Sequence, residues 1–196
     1  MGRMLLHACC GPCTMYPLDL LISEGRDLDC FWYNPNIQPQ FEFDRRHENL
    51  AKACDHFGIR LISEGDKCME DYWLSKEYLK EFPSRCDMCY DIRMEAVAKY
   101  CAENGYESFC TTLLVSPYQQ HDKIAQICEM KASGYGVKFE YIDFRPGFRQ
   151  GQDMAREIGL YRQKFCGCIF SLEESKFRDK IYKSIEEGSL ASTSTE

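Results

Sequence analysis

Seven of the chain's thirteen cysteines fall into three tight groups: Cys9-Cys10-Gly11-Pro12-Cys13, Cys86-Asp87-Met88-Cys89 and Cys166-Gly167-Cys168. Two thiolates separated by two residues at a helix start can turn back onto one metal centre. The unpaired backbone N–H groups there also stabilise thiolate charge. In the third group, Gly167 supplies the open backbone that aims both sulfurs at one region. A single pair of this kind is a weak signal, whereas three groups in 196 residues are a strong one.

A disulfide scaffold is the competing use of so many thiols. Thirteen is odd, so complete internal pairing is excluded. The first residues carry no apolar stretch and cleavage site of the secretory type, and no run approaches a membrane span. The expectation is therefore a cytoplasmic protein with no membrane partner. Thiols stay reduced in that compartment, and clustered ones there serve as metal ligands or redox groups. The formal net charge of −7 argues against a broad cationic surface for nucleic acid, though not against a local basic patch.

The length suits one domain with a substantial core. Residues 1–186 read as that domain, and 187–196 (EGSLASTSTE) as a disordered tail. Strand-like runs at Met4–Ala8, Leu28–Tyr33, Ile59–Ser63, Ser108–Leu114 and Val137–Ile142 alternate with helical patterns. Helices are expected near Cys13–Ser23, Gln40–Phe57, Glu70–Lys80, Met88–Glu103, Gln119–Ser133, Asp153–Ile158 and Leu172–Glu186. Strands separated by crossover-length helices predict an α/β fold, with a Rossmann-like parallel sheet of about five strands and a metal-binding helical and loop region. Ligands in such sheets bind outside the carboxyl ends of the strands, and the cysteine groups fall just past predicted strand ends or in the connections.

The other six cysteines carry no comparable signal. Cys54, Cys101 and Cys128 share helical spacing with apolar residues, and Cys30 and Cys110 lie within strand patterns. These five read as small core hydrophobes. Cys68 falls in a loop with nothing to recommend it as a ligand. Of the uses open to the seven clustered thiols, a thioredoxin-like pair would occupy two, a structural zinc four, and iron–sulfur ligation most of the set.

The segments His7-Ala8-Cys9-Cys10-Gly11-Pro12-Cys13, Arg85-Cys86-Asp87-Met88-Cys89, Thr111 through Tyr118, Asp143-Phe144-Arg145 and Gly159 through Cys168 together resemble one family, in order, from about Leu5 to Ser171. It is the cobalamin-independent epoxyqueuosine reductase family, QueH. The resemblance implies conversion of epoxyqueuosine to queuosine at the wobble position of tRNAs with a GUN anticodon, by reductive loss of an epoxide oxygen. It implies a [4Fe–4S] cluster with a second iron nearby, an electron donor of unknown identity and no cobalamin. It also implies a fold similar to the nucleotide alpha-hydrolase-like (HUP) group that contains tRNA-thiolating enzymes. In those relatives a Gly/Ser-rich phosphate loop follows the first strand. Here Cys9-Cys10-Gly11-Pro12-Cys13 stands in that place, so ATP use is not expected.

Cys86, Cys89, Cys166 and Cys168 are the leading cofactor ligands, followed by Cys9 and Cys10 and then Cys13. Which thiol holds which metal does not follow from spacing. Asp143, Tyr118 and His121 are candidate proton donors at the expected binding edge. A plain Asp143–Arg145 ion pair, and a helix-capping His121, are the alternatives, while His7 reads as a buried structural histidine. Arg145, Arg149, Arg162 and Lys164 form a basic segment interleaved with Phe144, Phe148 and Tyr161, suited to phosphates and splayed bases. Arg45 and Arg46 make a second small patch, and Gln119, Gln120 and Gln163 suit base edges. Two other readings stand beside this one: a tRNA sulfur-transfer enzyme of related fold, and a zinc-stabilised RNA-binding module without catalysis.

Overall fold

The computed structural model describes residues 2–184. Five parallel strands form one sheet: β1 (Met4–His7), β2 (Leu28–Trp32), β3 (Leu61–Ser63), β4 (Ser108–Thr111) and β5 (Lys138–Phe139), in the order β3-β2-β1-β4-β5. Strand β1 is central and wholly buried, with Met4 opposite Leu28 on one side and Ser108 on the other. Burial on both faces explains its unbroken apolar run.

Helices α1 (Gly11–Ser23), α2 (Gln40–Phe57) and α6 (Phe148–Glu157) pack together, as do α4 (Arg85–Glu103) and α5 (His121–Tyr135). Right-handed crossovers send the two sets to opposite faces. The chain reverses its winding between β1 and β4. This switch point opens a crevice at their carboxyl ends, where His7 pairs with Thr111. Short helices α3 (Glu70–Ser75) and α7 (Ile169–Glu173) stand apart from the sheet. They join the start of α4 in a second apolar cluster of Trp73, Tyr78, Met88, Cys89, Cys168, Ile169, Leu172 and Ile181.

Several expected elements are shorter in the structure. Strand β4 stops at Thr111 because its hydroxyl accepts the Leu113 N–H, starting a 3-10 turn over Thr112–Val115. The helical pattern after residue 70 breaks at Lys76, whose φ of 56° is left-handed, so a 3-10 turn at Glu77–Lys80 replaces its second half. The last helical pattern divides into α7 and helical turns at 178–184. The tail at 187–196 lies outside the described residues. Cys30, Cys54, Cys101, Cys110 and Cys128 all lie in the main core, each at most 1% exposed.

Candidate metal centre and substrate cavity

Each cysteine group begins a helix. Cys10 is the N-cap of α1, whose second residue is Pro12. Pro suits that position because its missing N–H would be unpaired there anyway. Cys86 and Cys89 occupy the first turns of α4, capped by Ser84, whose hydroxyl accepts the Asp87 N–H. Cys168 is the N-cap of α7. Every group thus meets a positive helix end.

The thiols of Cys9, Cys10 and Cys13 lie within 4.8 Å of one another, the tightest His, Cys, Asp or Glu cluster among the described residues. Hydrogen bonds from Cys10, Cys13 and the Thr112 hydroxyl hold Cys9 well below the usual thiol range, outweighing its burial. The Cys9 N–H in turn donates to Thr112 Oγ1 at 3.0 Å. Gln163 Nε2 donates to Cys10 Sγ at 2.8 Å. His7, beneath this cluster, is fully buried; its Nδ1 contacts Thr111 Oγ1 at 2.9 Å, and burial lowers its pKa to about 3. It is a neutral strut of the sheet edge.

A cavity of about 720 Å³ opens beside this cluster. Cys9, Cys13, Cys86, Cys89, Cys166 and Cys168 all line it, which brings together six of the seven clustered thiols from three distant chain segments. Cys10 lies just behind them, 1% exposed. No three of Cys86, Cys89, Cys166 and Cys168 lie within 4.8 Å of one another. Burial pushes the Cys89 thiol up to about 12 and raises Cys86 as well. Contact with a metal cation reverses that shift and draws out the thiolate.

The Cys166-Gly167-Cys168 segment is held by the loop before α2. Gln38 N–H donates to the Gly167 carbonyl at 2.9 Å, and Gln38 Oε1 accepts the Ile169 N–H at 2.9 Å. Arg46 donates to the carbonyls of Cys166 at 2.9 Å and Phe165 at 3.2 Å, while its Nε pairs with Glu42 at 2.7 Å. Gly167 has φ 146°, and an added Cβ would meet Arg46, Asn36 and Ile37 at 3.3 Å each. Arg46 is therefore a buried clamp, not part of an exposed basic patch.

The donor set fits an iron–sulfur group on two further observations. Trp73 Nε1 is buried without an acceptor among the described residues, and Trp73 packs with Cys89 and Cys168. A thiolate or cluster sulfide would satisfy it. Arg93 is 3% exposed, lines the cavity and has no carboxylate at ion-pair distance among the described residues. A buried cation without a counter-ion is costly, and anionic thiolates provide one. Neither Trp73 nor Arg93 stands out in the sequence, although Arg93 follows Cys89 at helical i,i+4 spacing.

Charge distribution also separates the cavity from the rest of the chain. Among the described residues its walls carry Arg46, Arg85, Arg93 and Lys164 and no Asp or Glu, although Arg85 pairs with Glu174 from outside the lining at 2.8 and 2.6 Å. Tyr118 and Phe148 stand in the same lining, with Gln119, Gln120, Gln152 and Gln163. Gln119 reaches Cys166 Sγ at 3.5 Å and accepts the Tyr90 hydroxyl at 2.6 Å.

The other sequence candidates lie off this wall. Asp143 is gripped by Arg145, whose Nε and Nη2 donate at 2.8 and 2.7 Å and whose N–H donates at 3.0 Å. That pairing holds the Asp143 carboxyl at about 2. His121 is buried and shares a 3.0 Å hydrogen bond from Nε2 with the Ser116 carbonyl. Arg149 is exposed on α6, and Arg162 donates to Gln152 at 3.0 Å. Of the three interleaved aromatics, Phe144 is fully buried and Tyr161 lies under Arg45, 3.4 Å from its ring centre, leaving Phe148 in the cavity lining.

Fold and site together define a class: a doubly wound α/β protein with a thiol-lined cavity at its switch point, where related folds carry a phosphate loop. The chain belongs to the QueH family. Residues 4–174 match the family model described as epoxyqueuosine reductase QueH. Among curated relatives, an epoxyqueuosine reductase QueH from Thermotoga maritima is 39% identical over 186 residues, covering 90% of this chain and 93% of that protein. One from Dehalococcoides mccartyi is 36% identical over 169 residues, covering 86% and 92%. A solved structure of the U34-tRNA thiolase NcsA from Methanococcus maripaludis with its [4Fe-4S] cluster superposes with a TM-score of 0.56 at 16% identity. The match covers 87% of this chain and 61% of that one, and the likeness is one of fold.

Proposed function

We propose that this chain reduces epoxyqueuosine to queuosine in tRNA. The reaction removes the epoxide oxygen as water, takes up two electrons and two protons, and leaves an alkene. The observation that carries the reading is the convergence of six clustered thiols on one carboxylate-free cavity in a chain of this family.

The two thiol sets suit different loads. Cys86, Cys89, Cys166 and Cys168 are spread widely enough to hold the separate corners of a cluster. Cys9, Cys10 and Cys13 are close enough to share one ion. So loaded, the site would supply single electrons and a Lewis-acidic centre.

The chain's own residues prepare that chemistry. Arg93 and Trp73 place a positive charge and an N–H beside the four wider thiols. Gln163 donates to Cys10, and hydrogen bonds from Cys10, Cys13 and Thr112 favour the Cys9 thiolate. Burial raises the Tyr90 phenol, so it keeps its proton and orients Gln119 against Cys166. Asp143 is ionised and lies off the wall where the departing oxygen must be protonated. Lys164 also offers charge to RNA phosphates at the cavity, whereas Arg85 is paired with Glu174.

The test is mass spectrometry of tRNA nucleosides from cells lacking this protein and any cobalamin-dependent counterpart. Epoxyqueuosine is expected to accumulate and queuosine to disappear. Normal queuosine would refute the assignment. A colourless protein carrying only zinc after anaerobic purification would favour a non-catalytic RNA-binding module.

A further inference from the structure

Tyr118 is 86% exposed, the most open of the large apolar side chains among the described residues. Its position is nonetheless defined. The Tyr118 N–H donates to Ser116 Oγ at 3.3 Å, and the ring meets Phe148 edge-on, 6.2 Å between centroids at 86°. Both rings line the thiol cavity, and beyond this T-shaped contact most of the Tyr118 ring stays open. Folding does not explain so exposed an aromatic in a fixed place, because it buries little there.

The surroundings select an occupant. Among the described residues the cavity lining holds no acid, and Lys164 is its exposed cation without a carboxylate partner, in a chain whose net charge is −7. An aromatic ring on the same wall as Lys164, with amides from Gln119 and Gln120 alongside, matches single-stranded RNA: the ring stacks on a base while the lysine holds phosphate. A modified base can enter the cavity only if it leaves its stack, and the neighbour it abandons then needs a new partner.

We propose that the Tyr118 ring, braced by Phe148, is the stacking platform for the unpaired base that flanks the modified nucleotide. This inference rests on the tRNA reading above and adds a subsite to it. It makes Tyr118 a substrate-binding group through its ring, in place of the proton-donor role that its hydroxyl suggests.

The experiment uses metal-loaded protein under anaerobic conditions and a synthetic anticodon stem-loop. One base flanking the wobble position is replaced by 2-aminopurine, whose fluorescence is quenched by stacking. The wild type is expected to bind with a change in that fluorescence. Tyr118→Leu is expected to weaken binding by roughly tenfold or more and to lose the change, since one base–aromatic stack carries about that much. Tyr118→Phe should keep both. Tyr141→Leu, another exposed tyrosine off the cavity wall, should also keep both. Undiminished binding and signal in Tyr118→Leu would overturn the platform while leaving the tRNA reading intact. Loss in Tyr118→Phe as well would assign the effect to the hydroxyl and overturn it too. Failure of the wild type to bind the stem-loop would instead remove the reading on which the platform rests.

Discussion

Arg93 Nε donates to the carbonyl of Cys89, one helical turn earlier, at 2.9 Å. The same guanidinium is charge-coupled to the thiols of Cys89, Cys166 and Cys9, which belong to all three cysteine groups. A single buried cation is therefore shared by the two sets of clustered thiols. It favours every negative charge placed there, including an added electron. Replacing Arg93 with Met should lower the midpoint potential of the reconstituted cluster, by on the order of 60 mV for a tenfold change in a one-electron equilibrium. Arg93→Lys should recover part of it. A spectroscopically monitored redox titration decides this, and an unchanged potential in Arg93→Met would remove the electrostatic role.

The division of labour among thiols predicts separable losses. Cys86→Ala or Cys168→Ala should abolish the visible absorbance of the cluster together with activity. Cys9→Ser should leave the cluster colour but lower the iron count and abolish activity. Cys54→Ala should keep iron and activity at a cost of about 1 kcal/mol, because it is 1% exposed in the core and away from the cavity. Iron stoichiometry beside an absorption spectrum reads all four. Bleaching by Cys54→Ala would show that the sorting of core and ligand thiols is mistaken.

Asp143 titrates far from the working range. Its folded pKa of about 2 lies below the ordinary carboxyl value of 3.8, because Arg145 binds the ionised form. The sign follows from linkage. The pairing's contribution is complete above the ordinary value and fades only as pH falls towards 2. The carboxyl is an anion throughout neutral pH and has no proton to give. Asp143→Asn should leave the shape of the pH–rate profile unchanged between about pH 5 and 8. A lost limb in that profile would return Asp143 to the chemistry.

Gly167 is irreplaceable on conformational grounds. Its φ of 146° is strained for any L side chain, and a Cβ would press on Arg46, Asn36 and Ile37. Gly167→Ala should cost more than about 1 kcal/mol of stability, since Ala at such a φ exceeds the usual glycine-to-alanine change. It should also weaken cluster retention, because Cys166 and Cys168 flank the displaced backbone. Thermal unfolding of metal-free protein, compared with cluster half-life in the loaded form, separates the two effects.

Much of this was readable from residue pattern. The strand order needs only alternating elements and right-handed crossovers, and the first thiol group points to the cavity because it falls just past the end of β1. The unread parts share a cause: each depends on contacts between segments distant in sequence. Arg46 looks like surface charge beside Arg45 until residues 165 and 166 fold over it. Asp143 and His121 follow strand ends, as site residues do, but the turn after β5 closes Asp143 onto Arg145 and away from the cavity. Strand β4 ends early because the Thr111 side chain competes with the ladder for a backbone N–H, which hydrophobic periodicity does not register.

The absence of acidic side chains from the cavity wall has a consequence for encounter as well as for binding. The chain has 31 acidic residues against 24 basic ones, and among the described residues none of the acids lines that wall, so the negative charge lies largely on other surfaces. A polyanion arriving at another face meets net repulsion, while one arriving at the cavity meets attraction focused by its walls. The protein therefore sorts approach directions before contact is made. Attraction of that kind is screened by salt, so the rate of association should fall as ionic strength rises.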